Sequence, residues 1–203
     1  MQQALVLGIA VQVMRRLTGL DTILHNGPDL RKRGGSDDGY FAPIVSTLGV
    51  GAAIACFLLI ETTGRKNILS VSLIGMTISL GVLFLEVLVT QPNTVSTMPY
   101  IFVFFYSFGL SSVPITLNSE LFFSDFRVVG AGVSTSASAI LTVIAGSGFD
   151  FIDKYMGLRV YFVYALMCAS CLVLVNAYLP ETTNVGIEDI PRVLQGFTLK
   201  SVV

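Results

Sequence analysis

The sequence predicts an all-α integral membrane fold of six transmembrane helices, and three observations carry that prediction. Of its 203 residues, 53% are apolar and only 12% charged, far from the balance of a soluble globular domain. The mean hydropathy is +0.78. The charges also cluster, at Arg31-Lys32-Arg33, Asp37-Asp38, Arg65-Lys66 and Asp150 to Lys154, leaving long apolar runs between them. A bilayer core asks for about 20 apolar residues per helix. Six stretches approach that length, at about Ala4–Leu24, Tyr40–Ile60, Ile68–Val89, Pro99–Phe122, Val128–Ile152 and Tyr155–Leu179. They are continuous, without the period-two alternation of a barrel strand.

The first span begins near the N-terminus. Met1 to Val13 has no basic n-region and no small-residue cleavage pattern, and apolarity resumes after Arg16, so the segment reads as a span and not a signal peptide. Arg15 and Arg16 fall inside it. An arginine near mid-helix costs about 2.5 to 3.5 kcal/mol on the insertion scale, so this pair should face a cavity, a partner or water. Asp21 is the nearest acid, five or six residues on, a poor helical spacing for a direct pair. Pairing would need a bend or break near Gly19. His25 is expected on the rim, and Asn26 to Gly39 as a charged, solvated loop without a phosphate-cradle pattern.

The second and third spans flank the short loop Glu61-Thr-Thr-Gly64-Arg65-Lys66. Gly49-Val-Gly51-Ala52-Ala53 and, later, Gly130-Ala-Gly132 and Ala145-Gly-Ser-Gly148 let backbones approach closely, as helix association in lipid requires. Glu86, in the third span, is either a functional acid or one that snorkels from the span end. Glu120 lies near the end of the fourth span, and Arg127 stands just before the fifth. Cys56, Cys168 and Cys171 all lie in apolar runs; the CxxC spacing of the last two points to packing, since redox or zinc chemistry needs a polar, accessible setting. Residues 1–183 form the predicted bundle, and 184–203 a cytoplasmic tail, mildly amphipathic from Ile187 to Leu194, that suits the membrane edge.

Several function classes are excluded or left open by the same residues. A formal charge of −1 and aromatic residues confined to apolar runs give no nucleic-acid footprint. No Ser/His, paired Asp or HExxH arrangement lies in the spans, so neither an enzyme nor a cofactor or metal site is expected. Lys and Arg balance across the two sides: Arg31, Lys32, Arg33, Lys154 and Arg159 on one, Arg65, Lys66, Arg127, Arg192 and Lys200 on the other. The positive-inside rule therefore does not set the orientation.

Four motifs carry a family resemblance. Glu61-Thr-Thr-Gly64-Arg65-Lys66 resembles the acidic-R-x-G-R-R loop of the major facilitator superfamily. Asn118-Ser-Glu120-Leu-Phe122 followed by Arg127 is similar to a sugar-porter pattern, as is Pro180-Glu181-Thr182 to the family's P-E-T-K-G ending. The family's Q-x-x-Q-Q-x-x-G-x-N stretch can be laid on Gln12, Arg15, Arg16, Gly19 and Asp21: Gln12 and Gly19 agree, while the arginines replace two glutamines and Asp21 an asparagine. The chain also has no Trp, and Ile115 follows Pro114 where many sugar porters place one.

The resemblance covers Gln12 to about Ile190 and corresponds to the C-terminal six-helix half of a sugar porter. It implies alternating access, with a sugar or similar small polar solute bound between two parallel-repeat halves. Gln12, Arg15, Arg16 and Asp21 would then line the pathway for a polar or anionic solute, or else the site has degenerated. Glu61, Gly64, Arg65, Lys66, Glu120, Arg127 and Glu181 would form a cytoplasmic gate, or serve only as interfacial anchors. Partners implied are the lipid bilayer and a second copy or an N-terminal half; a transport-inactive half that binds or regulates a carrier is the other class of function.

Overall fold

The computed structural model describes residues 2–33, 38–89, 97–120, 127–156 and 159–178. All regular structure among the described residues is helical: α1 (Gln2–Leu17), α2 (Leu20–Arg33), α3 (Phe41–Thr63), α4 (Arg65–Val89), α5 (Met98–Phe105), α6 (Val113–Glu120), α7 (Arg127–Met156) and α8 (Val160–Tyr178), with a short 3-10 turn at Asp38–Tyr40 and a π-turn at Tyr106–Leu110. Among the described residues, four segments are long and apolar enough to cross a membrane: Phe41–Ile60, Arg65–Glu86, Met98–Leu117 and Val160–Ala177. The apolar part of α7, Val128–Ile144, is shorter. The first expected span is two helices, α1 and α2, instead of one.

The segment expected to be a loop from Asn26 is helical as far as Arg33, with Pro28 inside α2. Pro28 lacks an N–H, but it does not end the helix here, because Gly27 lies flush on the ring of Phe41 at the start of α3 and ties this turn to the bundle. His25 accordingly sits exposed within α2, not in a loop. Lys154 belongs to the end of α7, and α8 starts a few residues later than expected. The tail 184–203 lies outside the described residues.

The packed spine is α4 against α8. On α4, Ile68, Leu69, Ser72, Leu73, Met76, Ser79, Leu80 and Leu83 are buried, a stripe that recurs every three or four residues as one helix face must. On α8 the matching stripe is Tyr161, Tyr164, Ala165, Cys168, Cys171 and Val175. Lys66 meets Asn176 at one end and the Phe84 and Phe162 rings stand 5.1 Å apart at the other, so the two helices run antiparallel. Cys168 and Cys171 are packing residues on the α8 face, and Cys56 is buried on α3. By contrast α3 buries little, and Val50, Ile54, Phe57 and Leu58 point outward, the surface that hydrocarbon tails accept without penalty.

Two interruptions break the helices, and each is held by a neighbour. Between α1 and α2, Gly19 has φ 80°, a left-handed conformation that costs a side-chain-bearing residue about 1–2 kcal/mol. A Cβ there would come within 2.6 Å of the Tyr164 ring. That ring closes over the break, and its hydroxyl shares a buried 2.8 Å hydrogen bond with Thr22 Oγ1. The second interruption lies between α5 and α6. Pro114 has no N–H to return to Leu110, and Ser111 N reaches back five residues to Tyr106 O at 2.9 Å. The hydroxyl of Ser72 spans this turn from α4: it donates to Phe105 O at 2.7 Å and accepts from Leu110 N at 3.3 Å. Gly109 makes the approach possible, since a Cβ there would fall 2.5 Å from Ser72 Cβ.

Two outcomes are expected. Ser72→Ala strips a buried hydroxyl from two backbone groups and should lower stability in detergent by about 1–3 kcal/mol; Ser70→Ala, which removes an exposed 3.2 Å bond to Asn176 Oδ1, should cost clearly less by the same thermal denaturation assay. Equal losses would contradict the role given to Ser72. Tyr164→Phe leaves the Thr22 hydroxyl buried without its partner and should cost about 1–3 kcal/mol, read as a lower apparent melting temperature.

Candidate functional site

The break at Gly19 gathers the polar side chains of the first two helices. Gln12 is 4% exposed on α1, and Arg15 and Arg16 occupy that helix's last turn. The final carbonyls of α1 lose their helical donors at the break, and the C-terminal end of a helix carries a partial negative charge that favours cations. Thr18 Oγ1 donates to Arg15 O at 3.2 Å, taking up one such carbonyl. The α2 helix restarts at once, with Ile23 N donating to Gly19 O at 3.1 Å.

The opposite wall is α7, which packs along α1. Gly130, Ser134 and Ser138 recur every four residues on its buried side. Small residues at that interval let the two backbones approach. Ser134 Oγ is occupied by its own helix, donating to Gly130 O at 2.8 Å. Arg16 Nε–H points across to Ser138 Oγ at 3.5 Å, a long hydrogen bond. Arg15 Nε is buried and has no hydrogen-bond partner.

Gln12, Arg15 and Arg16 are thus brought together, and Asp21 is not added to them. The break that pairing demanded is present, yet it places Asp21 in the first turn of α2, exposed, where the positive end of a helix dipole favours an acid. Among the described residues neither arginine forms an ion pair. Ser138 was the residue that sequence reasoning missed; the four-residue interval of small side chains was its one local sign.

A second group of charges stands where α3 meets α4. Gly64 alone joins them, at φ 91° and ψ 151°, with its N–H returning to Ile60 O at 3.3 Å. Arg65 and Lys66 open α4, both half-buried. Lys66 Nζ donates to Asn176 O at 3.0 Å, so a cation meets the last turn of α8, as helix C-termini favour. Glu86 is half-buried in the last turn of α4. Glu61, Glu120 and Arg127 lie on described helices but their side chains are outside the described residues, as is Glu181 altogether.

Comparison with known proteins shows the family. The family description "Sugar (and other) transporter" matches residues 1–194. The probable polyol transporter 4 of Arabidopsis thaliana is 26% identical over 206 residues, an alignment covering 96% of this chain and 39% of the relative. Facilitated glucose transporter member 2 of Gallus gallus is 24% identical, with 93% of this chain and 37% of the relative covered. Among solved structures, the inward open xylose transporter XylE from E. coli superposes with a TM-score of 0.82 at 18% identity, covering 95% of this chain and 42% of that one. The chain therefore spans about two fifths of the relatives it matches. By a family match over nearly its whole length, the chain belongs to the sugar (and other) transporter family.

Proposed function

We propose that the chain works as the C-terminal six-helix bundle of a sugar-porter carrier, moving a sugar or related polar solute across a membrane by alternating access. The observation that carries this is the interrupted first helix, whose Gln12, Arg15 and Arg16 stand together beside the serine row of α7. Irregular backbone at membrane depth is tolerated where it lines a cavity, and discontinuous helices build the substrate sites of transporters. Asp21 stands exposed just beyond the break, apart from the arginines. The other wall of the pathway comes from an N-terminal half or a second copy, consistent with a chain that spans about two fifths of its relatives.

In this scheme Glu61, Gly64, Arg65, Lys66, Glu120, Arg127 and Glu181 form the cytoplasmic gate. The tight Gly64 turn and the Lys66 contact with Asn176 O support it, because a charged donor on a helix end is an interaction that water access can weaken and restore. The replacement of two glutamines by arginines and the absence of Trp favour a second function, a transport-inactive half that binds a full carrier.

The test is uptake of radiolabelled polyol, hexose and sugar acid into proteoliposomes holding the protein at its natural length. Saturable uptake of one of these solutes is expected. Gly19→Ala should cut the rate about tenfold or more, since a strain of about 1–2 kcal/mol is added to a clash with Tyr164. No saturable uptake of any of them, with stable co-purification of a full-length carrier, would support the inactive half instead.

A further inference from the structure

The two arginines at the α1 break set the sign of the charge this site accepts. Arg15 Nε is buried with no hydrogen bond, and Arg16 Nε reaches only the neutral Ser138 Oγ at 3.5 Å. Among the described residues neither has an acidic partner, and Asp21 stays exposed on the other side of the break. The C-terminal end of α1 offsets about half an elementary charge, against two fixed positive charges. Both side chains are half-buried, and a guanidinium with a nitrogen turned inward and no acidic partner is matched by an anion of suitable geometry.

We propose that the solute is anionic: a sugar or polyol bearing a carboxylate or phosphate, held by Arg15 and Arg16, with Gln12 and Ser138 beside it for the hydroxyls. This rests on the carrier function proposed above. The planar forks of the two guanidiniums suit a two-oxygen acceptor. The buried amide of Gln12 and the hydroxyl of Ser138 are neutral and add no competing charge. In a neutral-sugar carrier the same two positions would need only uncharged hydrogen-bonding groups.

The experiment compares uptake of radiolabelled D-glucuronate and D-glucose into phosphatidylcholine proteoliposomes that carry the natural-length protein in the assembly in which it purifies. A glucose phosphate serves as competitor. Wild-type protein should favour glucuronate, and the glucose phosphate should compete. Exchange of both arginines for glutamine (Arg15→Gln with Arg16→Gln) should shift the glucuronate-to-glucose ratio toward glucose by about tenfold or more, the effect of one lost charge-assisted pair. Exchange of both for lysine should keep the preference, and glucose uptake by the glutamine form shows that it is folded. Glucose uptake that equals or exceeds glucuronate uptake and is indifferent to the glutamine exchange would overturn the anionic assignment while the carrier function stands. Absence of saturable uptake for either sugar would overturn the carrier function, and this inference with it. If the arginines matter only in vesicles containing phosphatidylglycerol, without any preference among sugars, they bind lipid phosphate and the inference fails.

Discussion

Inside a bilayer an interrupted helix has no water to take up the N–H and C=O groups it frees, so every break must be covered by protein or by an aqueous cavity. Among the described residues there are two such breaks, and the rest of the described structure is arranged around covering them. At Gly19 the cover is Tyr164 of α8, whose ring occupies the space a side chain would need and whose hydroxyl meets Thr22. At the π-turn it is Ser72 of α4, with one hydroxyl serving Phe105 O and Leu110 N. Both covering residues project from the antiparallel α4–α8 pair. That pair is the scaffold, and the broken helices α1–α2 and α5–α6 lean on it.

The same dependence explains how interior charge is tolerated. Arg15 and Arg16 stand at the C-terminal end of α1, where the helix dipole offsets part of their charge, and Arg16 looks toward the Ser138 hydroxyl of α7. Lys66 repeats the device at the other end of the bundle, where its ammonium meets a carbonyl in the last turn of α8. Two of the bundle's polar contacts thus join a cation to a helix terminus or to a neighbouring helix. They are contacts that can be made and broken without unfolding any helix.

Much of this was legible in the residues. Continuous apolar runs located α3, α4 and α8 to within a few positions, because lipid imposes one length and one polarity on any helix that crosses it. Gly64 marked the tight α3–α4 turn, and Gly19 with two arginines before it marked a break. The covering contacts were not legible: Arg16 and Ser138 are 122 residues apart, Thr22 and Tyr164 142, and Lys66 and Asn176 110. A serine in an apolar helix carries no local sign of the helix it will meet. Helical continuation past Gly27-Pro28 escaped for a similar reason, since the support comes from Phe41 in the next helix. Asp21 shows the reverse case, a residue whose type suggested a partner for the arginines but whose place beyond the break keeps it away from them.

The central claim is that the α1 break opens onto water and not onto lipid. Single-cysteine accessibility measures this directly: with Cys56, Cys168 and Cys171 replaced, Arg16→Cys and Phe57→Cys are each exposed to a membrane-impermeant, charged thiosulfonate reagent in sealed vesicles and after permeabilisation. The account predicts rapid modification at position 16 from at least one side and none at position 57, which faces outward from α3. Protection at position 16 equal to that at position 57 would mean the arginines lie in a dry interface, and the pathway would have to be sought elsewhere in the bundle.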